Sequence, residues 1–434
     1  MALPKIIKLK GGATLLYKKR TINHSTGISI YFTAGSRYDG DLPGICHFVE
    51  HMLINETKDL TIEQVREKHK QLVSGMNGST RHRGIDFRIW CADSNFEEGL
   101  KLLTSQVFEP GLSQTAVDKE REVVLKEMVR WFDNERAVCA LELDKISLPN
   151  SEFTQLVIGT EEAVKKVTSN DVLEFSKSNF VLNNLIVSVA GRMSKGKVKK
   201  LVNKYIINKI IDRTNTPREL NFNYDFASKS AIAVTNMADR KNATMQIMLP
   251  MQLPKDRKTD WILWAISYLL NGLGGIAMNV LREERALVYS CDASIFNDLD
   301  FAYFTLSVDT SPKSVNEIFS AANEILKRLK MTEEKLKEWK ERRKILEDKE
   351  MPSYLIDNAF NMVYTFRQYG NFNTKRQNDK IVKSITVDDV NATIAKITEQ
   401  SKVFVSVVSN LQTKDVFDIG KIEKTIFEGI KENK

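Results

Sequence analysis

Apolar and polar positions change period several times along this chain, and each change marks an element. Residues 13–17 and 27–33, and again 85–91 and 185–189, read as strands, in which successive side chains face opposite sides of a sheet. The first follows a turn at Gly11-Gly12, and the second runs into a turn at Gly35-Ser36-Arg37. Residues 44–53, 95–107 and 169–179 read as helices, the last capped by Ser169 or Asn170. Residues 112–148 contain neither Gly nor Pro and predict one long helix, with Ser113 as N-cap and Leu112 and Val117 as a hydrophobic staple.

The second half echoes this order. Asp86-Phe87-Arg88-Ile89, a helix and then the long helix through Glu127-Met128 return as Asp300-Phe301-Ala302-Tyr303, a helix over 315–326 and a helix reaching Glu350-Met351. Two copies of one α+β unit, each a sheet covered by helices, therefore account for the 434 residues better than three unrelated domains. A polar, Pro-bearing stretch near the midpoint sets the expected division: residues 1–213, a linker over 214–222, and residues 223–434. Between Asp260 and Arg282 no residue is charged, a run long enough to span a membrane. Asn271, Gly272, Gly274, Gly275 and Asn279 interrupt it, so the expectation is a buried helix followed by a Gly-rich loop, with no membrane span.

Composition narrows the class. Hydrophobic content of 42% with 28% charged residues describes a globular chain and excludes a disordered one. The net charge of +8 invites a nucleic-acid partner, but the lysines of 333–350 alternate with acids and those of 195–204 have the spacing of one solvated helix face. No nucleic acid is expected. Cys46, Cys91, Cys139 and Cys291 lie far apart without a CxxC, which gives no disulfide framework. With no charged segment and apolar core ahead of the first strand, no targeting peptide is expected either, and the expected location is cytoplasmic.

The chemistry gathers at His47-Phe48-Val49-Glu50-His51. Only five histidines occur, and two of them stand four apart, on one face of a helix, where they can grip one metal ion. A catalytic zinc site takes three protein ligands and leaves a position open, so a third ligand must come from elsewhere. On the long helix, Val117, Val123, Val124, Met128 and Trp131 form an apolar face, in the middle of which Glu120 and Glu127, seven apart, are expected to fall. Carboxylates placed there need a cation, either a metal or a Lys or Arg partner.

At this point the chain resembles the inverzincins, zinc peptidases of the insulinase and pitrilysin type, whose signature is HxxEH. The resemblance rests also on Glu120-Arg121-Glu122-Val123-Val124-Leu125-Lys126-Glu127, placed after the histidines as in that family. It implies one zinc per chain held by His47, His51 and Glu127, with Glu120 in support and Glu50 as general base. It also implies a substrate-binding edge strand carrying Asn77 and Thr80, although Ser79 stands where the family has an aromatic residue. Arg282 and Tyr289 resemble the family's pair for substrate and intermediate, although Ala286 replaces a usual Gly and a Ser-Arg-Leu run is missing near 278–280. No histidine follows His82, so the second copy carries no such motif.

The expected function is a zinc-dependent endopeptidase acting on peptides or unfolded segments. A catalytically silent structural or docking partner of the same fold is the competing class. At half the length of the single-chain insulinase type, the chain is expected to work as a homodimer, or as a heterodimer with a related half-length chain.

Overall fold

The structure is a computed structural model that describes residues 3–20, 24–216, 220–272, 274–349, 355–410 and 417–430. Part of the expected linker, 217–219, and the expected helix end at Glu350-Met351 lie outside the described residues.

Eleven strands form two sheets among these residues. The first contains β1 (Lys5–Lys8), β2 (Thr14–Lys19), β3 (Ser25–Phe32), β4 (Gly75–Arg81), β5 (Gly84–Ala92) and β6 (Leu185–Gly191), in the order β1-β2-β6-β3-β5-β4. The second contains β7 (Ala231–Asn236), β8 (Ala243–Met251), β9 (Val288–Asn297), β10 (Ala302–Thr310) and β11 (Phe404–Ser409), in the order β7-β11-β8-β10-β9. With β1 set aside, the two orders correspond strand for strand. In each, the opening strand pairs parallel with the closing one, β2 with β6 and β7 with β11. The fold is thus α+β with the unit repeated, as the sequence pattern predicts.

The chain divides into two compact units, and neither is one continuous segment. The first comprises 1–130, 155–221 and 351–374, and the second 131–154, 222–350 and 375–434. Each unit takes one helix from the other half of the chain. In the first, Met362 and Val363 of the helix Leu355–Tyr369 pack on Leu16, Tyr31, Ile186 and Ala190. In the second, Val138 and Leu143 of the helix Glu135–Ser147 meet Val408 and Met248 with Phe404 respectively. Coverage on both faces explains why β6 is buried along its whole length. The opposite face of the first sheet carries the main core, where Leu15, Ile28, Ile30, Phe87 and Ile89 meet Phe48, Met52, Leu103 and Val124.

Three expectations need correction. The helix predicted over 112–148 is two helices, Gln114–Phe132 and Glu135–Ser147. The break comes at Asn134, whose side chain accepts hydrogen bonds from the backbone N–H groups of Arg136 and Ala137 and so caps the second helix. This is also where the chain leaves the first unit. The helix Ser169–Asn179 is capped by Thr168, which forms a capping box with Asp171, and not by Ser169 or Asn170. The apolar run after Asp260 contains the helix Arg257–Leu270, but the stretch after its glycines is helical again: Ile276–Met278 continues into a π-helical turn at Asn279–Glu284. Among the described residues no helix is long and apolar enough to cross a membrane.

Candidate metal centre

The HxxEH residues occupy the helix Ile45–Leu53, and its start is firmly fixed. Gly44 has φ 95°, and a Cβ there would lie 2.6 Å from the carbonyl oxygen of Ile158, so glycine is required. The buried carboxylate of Asp39 accepts from the N–H of Gly44 at 2.7 Å and from that of Cys46 at 3.0 Å. It thereby satisfies donors that a helix N-terminus leaves open. Phe48, Val49, Met52 and Leu53 then bury one side of the helix in the core, and Cys46 is buried with them as a packing residue. His47, Glu50 and His51 are left facing the helix Gln114–Phe132 and β4.

Ligand atoms of His47, His51 and Glu127 all lie within 4.8 Å of one another. The Nε2 atom of His51 stands 3.3 Å from Glu127 Oε2, and that of His47 stands 3.9 Å from Glu127 Oε1. Donors bound to one zinc at about 2.0–2.1 Å in a tetrahedron stand roughly 3.3 Å apart, so the His51–Glu127 pair already has that spacing and the His47–Glu127 pair is somewhat wider.

Hydrogen bonding points the same way. The Nδ1–H of His51 donates to Glu120 Oε1 at 2.7 Å, which leaves the Nε2 lone pair turned toward Glu127. Among the described residues neither ring nitrogen of His47 finds a hydrogen-bond partner, and its Nδ1 is fully buried. An unpaired buried imidazole is costly, and a cation between its Nε2 and Glu127 would relieve the Nε2 side of that cost.

Electrostatics separates the three groups. Burial, aided by the charge of His51, pushes His47 down to about 3 and keeps it a neutral donor. Burial also pulls His51 downward, but its hydrogen bond to Glu120 and the charges of Glu120, Glu50 and Glu127 outweigh this and raise it. The carboxylates thus favour positive charge at His51, while His47 stays neutral. Burial raises Glu50 above the ordinary carboxylate range, and the Thr80 hydroxyl, donating to Glu50 Oε2 at 2.7 Å, holds it back. Among the described residues Glu50 stands outside the group of His47, His51 and Glu127, with its carboxylate held by Thr80.

The helical projection misjudged one neighbour. Val124 and Met128 are buried, but Val123 is 44% exposed and contributes nothing to the core. Glu120 and Glu127 border the apolar face, and this placement turns Glu127, 47% exposed, toward the open side of the site.

The remaining expected residues are placed as follows. Thr80 on β4 engages Glu50, while Asn77 on the same strand is exposed. β4 is the outermost strand of its sheet. Arg282 and Tyr289 belong to the second unit, where the guanidinium lies 5.4 Å from the centre of the exposed tyrosine ring.

Two contributors escaped the sequence reading. Asn55, just past the motif helix, donates through Nδ2 to the carbonyl of His51 and to Glu120 Oε2, each at 2.9 Å. Gly78 lets Glu50 lie against β4, since a Cβ there would stand 2.7 Å from Glu50 Cγ. Glycine interrupting a strand pattern is the signal that could have marked the second, because it often allows a close approach. Nothing local marks Asn55.

The chain is similar to known proteins in sequence and in fold. The family model for insulinase, peptidase family M16, matches residues 14–160, and that for the peptidase M16 inactive domain matches residues 166–343. The chain is 22% identical over 213 residues to a probable mitochondrial-processing peptidase subunit beta of Arabidopsis thaliana, covering 49% of this chain and 40% of that protein. It is 20% identical over 343 residues to an uncharacterized zinc protease of Bacillus subtilis, covering 77% of this chain and 81% of that one. The match thus spans less than half the length of the Arabidopsis relative and most of the bacterial one. In fold, a Helicobacter pylori protease superposes with TM-score 0.81 at 17% identity, over 94% of this chain and 100% of the other. With both halves matched by models of a single family, the chain belongs to peptidase family M16, the insulinase family of zinc peptidases.

Proposed function

We propose that this protein is a zinc-dependent endopeptidase acting on peptides or unfolded segments. The observation that carries the reading is the meeting of His47, His51 and Glu127 beside a carboxylate, Glu50, that is not itself a ligand. Those three residues would hold one zinc ion per chain, whose chemistry is to acidify water and polarise a carbonyl group. Glu50 takes the proton of the attacking water and then gives it to the amine that leaves, a role for which its raised proton affinity suits it. Thr80 keeps the carboxylate turned to the site, and Glu120 fixes the ring of His51. Arg282 and Tyr289 bind substrate and stabilise the developing oxyanion in this reading.

The second half carries no histidine and matches the model described as inactive, so one catalytic centre per chain is proposed. A homodimer, or a heterodimer with a related half-length chain, is part of the proposal. Relatives described as subunits support it, the Arabidopsis beta subunit and a mitochondrial-processing peptidase subunit alpha-1 of Dictyostelium discoideum, 21% identical over 90% of this chain.

Glu50→Gln tests the core of the reading. It is expected to keep zinc and fold while cleavage of a quenched peptide library falls by about 10² to 10⁴. Equal activity would refute the assignment of Glu50, and a wild-type protein that cleaves nothing would favour the docking-partner class. Light scattering over a dilution series, run beside the assay, tests assembly: a fully active monomer refutes the dimer.

A further inference from the structure

The last residue of β4, Arg81, follows directly on Thr80, the residue that holds Glu50. Side chains alternate along a strand, so Gly78 and Thr80 face the motif helix while Asn77, Ser79 and Arg81 face the other way. On that second face Ser79 pairs with Asp86 and Asn77 with Arg88 on the neighbouring strand.

The two nearby guanidinium groups differ in what they can still do. Arg88 is buried, its Nε 2.5 Å from Asp86 Oδ2, and its guanidinium lies 4.0 Å from the centre of the Phe360 ring. Its charge is committed. Arg81 is exposed, and it stands 5.5 Å from the Tyr364 ring centre and 5.7 Å from that of Phe360. Among the described residues no ion pair engages it. Two aromatic faces therefore flank an exposed charged fork, whose field also reaches the buried Asp86 carboxylate.

Among the described residues β4 pairs with β5 on one side only, so its other edge offers unpaired backbone groups to an extended peptide. A peptide strand added there would direct every second side chain to the face of Asn77, Ser79 and Arg81. Ser79 stands there opposite the buried Asp86, and the exposed charge on this face is that of Arg81.

We propose that Arg81 is a specificity-determining residue that selects an acidic side chain in the peptide substrate, within a few residues of the cleaved bond. This rests on the peptidase reading above. A carboxylate at that point meets a pre-organised guanidinium and forms a charge-assisted pair, whereas a lysine or arginine is repelled. Because the site is open to solvent, the preference is modest and salt-sensitive.

The test uses the zinc-loaded full chain and a peptide that it cleaves, resynthesised with Glu, Gln or Lys at each position around the cleaved bond. At one position on the side-chain face of Arg81, Glu is expected to exceed Gln by about 5- to 10-fold in kcat/KM, a preference that shrinks at high salt. In Arg81→Ala the Glu to Gln ratio falls to about one, and in Arg81→Glu the order inverts in favour of Lys. Equal kcat/KM for Glu, Gln and Lys at every position overturns the assignment of Arg81 while leaving the peptidase reading intact. An unchanged preference in both variants overturns it as well. A wild-type chain that cleaves no peptide overturns the peptidase reading and this assignment together.

Discussion

The clearest test of how the site is held together is Asn55→Ala. The Asn55 amide nitrogen bridges the carbonyl of His51 and Glu120 Oε2 at 2.9 Å each, while the other Glu120 oxygen receives the His51 ring at 2.7 Å. Removing the amide frees one oxygen of a mostly buried carboxylate, and a hydrogen bond to a charged acceptor contributes about 1.5–3 kcal/mol. Glu120 keeps its bond to His51, so only part of that loss reaches the metal. If about 1 kcal/mol does, the zinc dissociation constant rises roughly fivefold, against ~10- to 100-fold for a direct supporting residue such as Glu120 in Glu120→Gln. The assay is competition for zinc against a chelator of known affinity, with circular dichroism to confirm the fold. Because Asn55 acts through Glu120, the double variant Asn55→Ala/Glu120→Gln should bind zinc no more weakly than Glu120→Gln alone. Additive losses, or an Asn55→Ala protein with wild-type affinity, would refute this account of the Glu120 clamp.

Three further outcomes follow from the same structure. Glu127→Gln and His47→Ala should each lower zinc occupancy in a dialysed protein measured by elemental analysis, and full retention by the Glu127 variant removes it from the ligand set. Asn134→Ala removes the side-chain acceptor for the N–H groups of Arg136 and Ala137 and should cost about 1 kcal/mol in denaturant unfolding, whereas no change would mean the break in the helix is held by other contacts. Burial pushes Asp144 up from the ordinary 3.8 to about 7, so the folded chain keeps a proton that the unfolded chain releases near 4. Stability from this group is therefore greatest in acid and falls as pH rises from about 4 to about 7; Asp144→Asn should gain relative to wild type near pH 8, and a variant less stable there would reverse the sign.

What the sequence determined by itself is what depends on short-range spacing. Two histidines four apart must share a helix face, so half of the candidate metal site was legible in five residues. Alternating apolar positions placed β2, β3, β5 and β6, because a strand must turn one side chain in two toward its core. The repeat was legible because two copies of one pattern keep the same order of elements, and the strand orders of the two sheets bear this out.

Tertiary structure decided everything that depends on which surfaces meet. Without Gly or Pro, nothing in residues 112–148 signals that the chain must leave one unit for the other, yet Asn134 stops the helix there and Glu135–Ser147 covers the second sheet. A helical wheel cannot tell the centre of a face from its border, so Val123 was expected inside and lies outside, while Glu127 sits where it can reach both imidazoles. The roles of Asn55, Gly78 and Thr80 are likewise fixed only when the helix, its following loop and β4 are brought together. Hydrogen bonds and close approaches between distant residues leave no periodic trace along a chain, and the folded arrangement is the first level at which they exist.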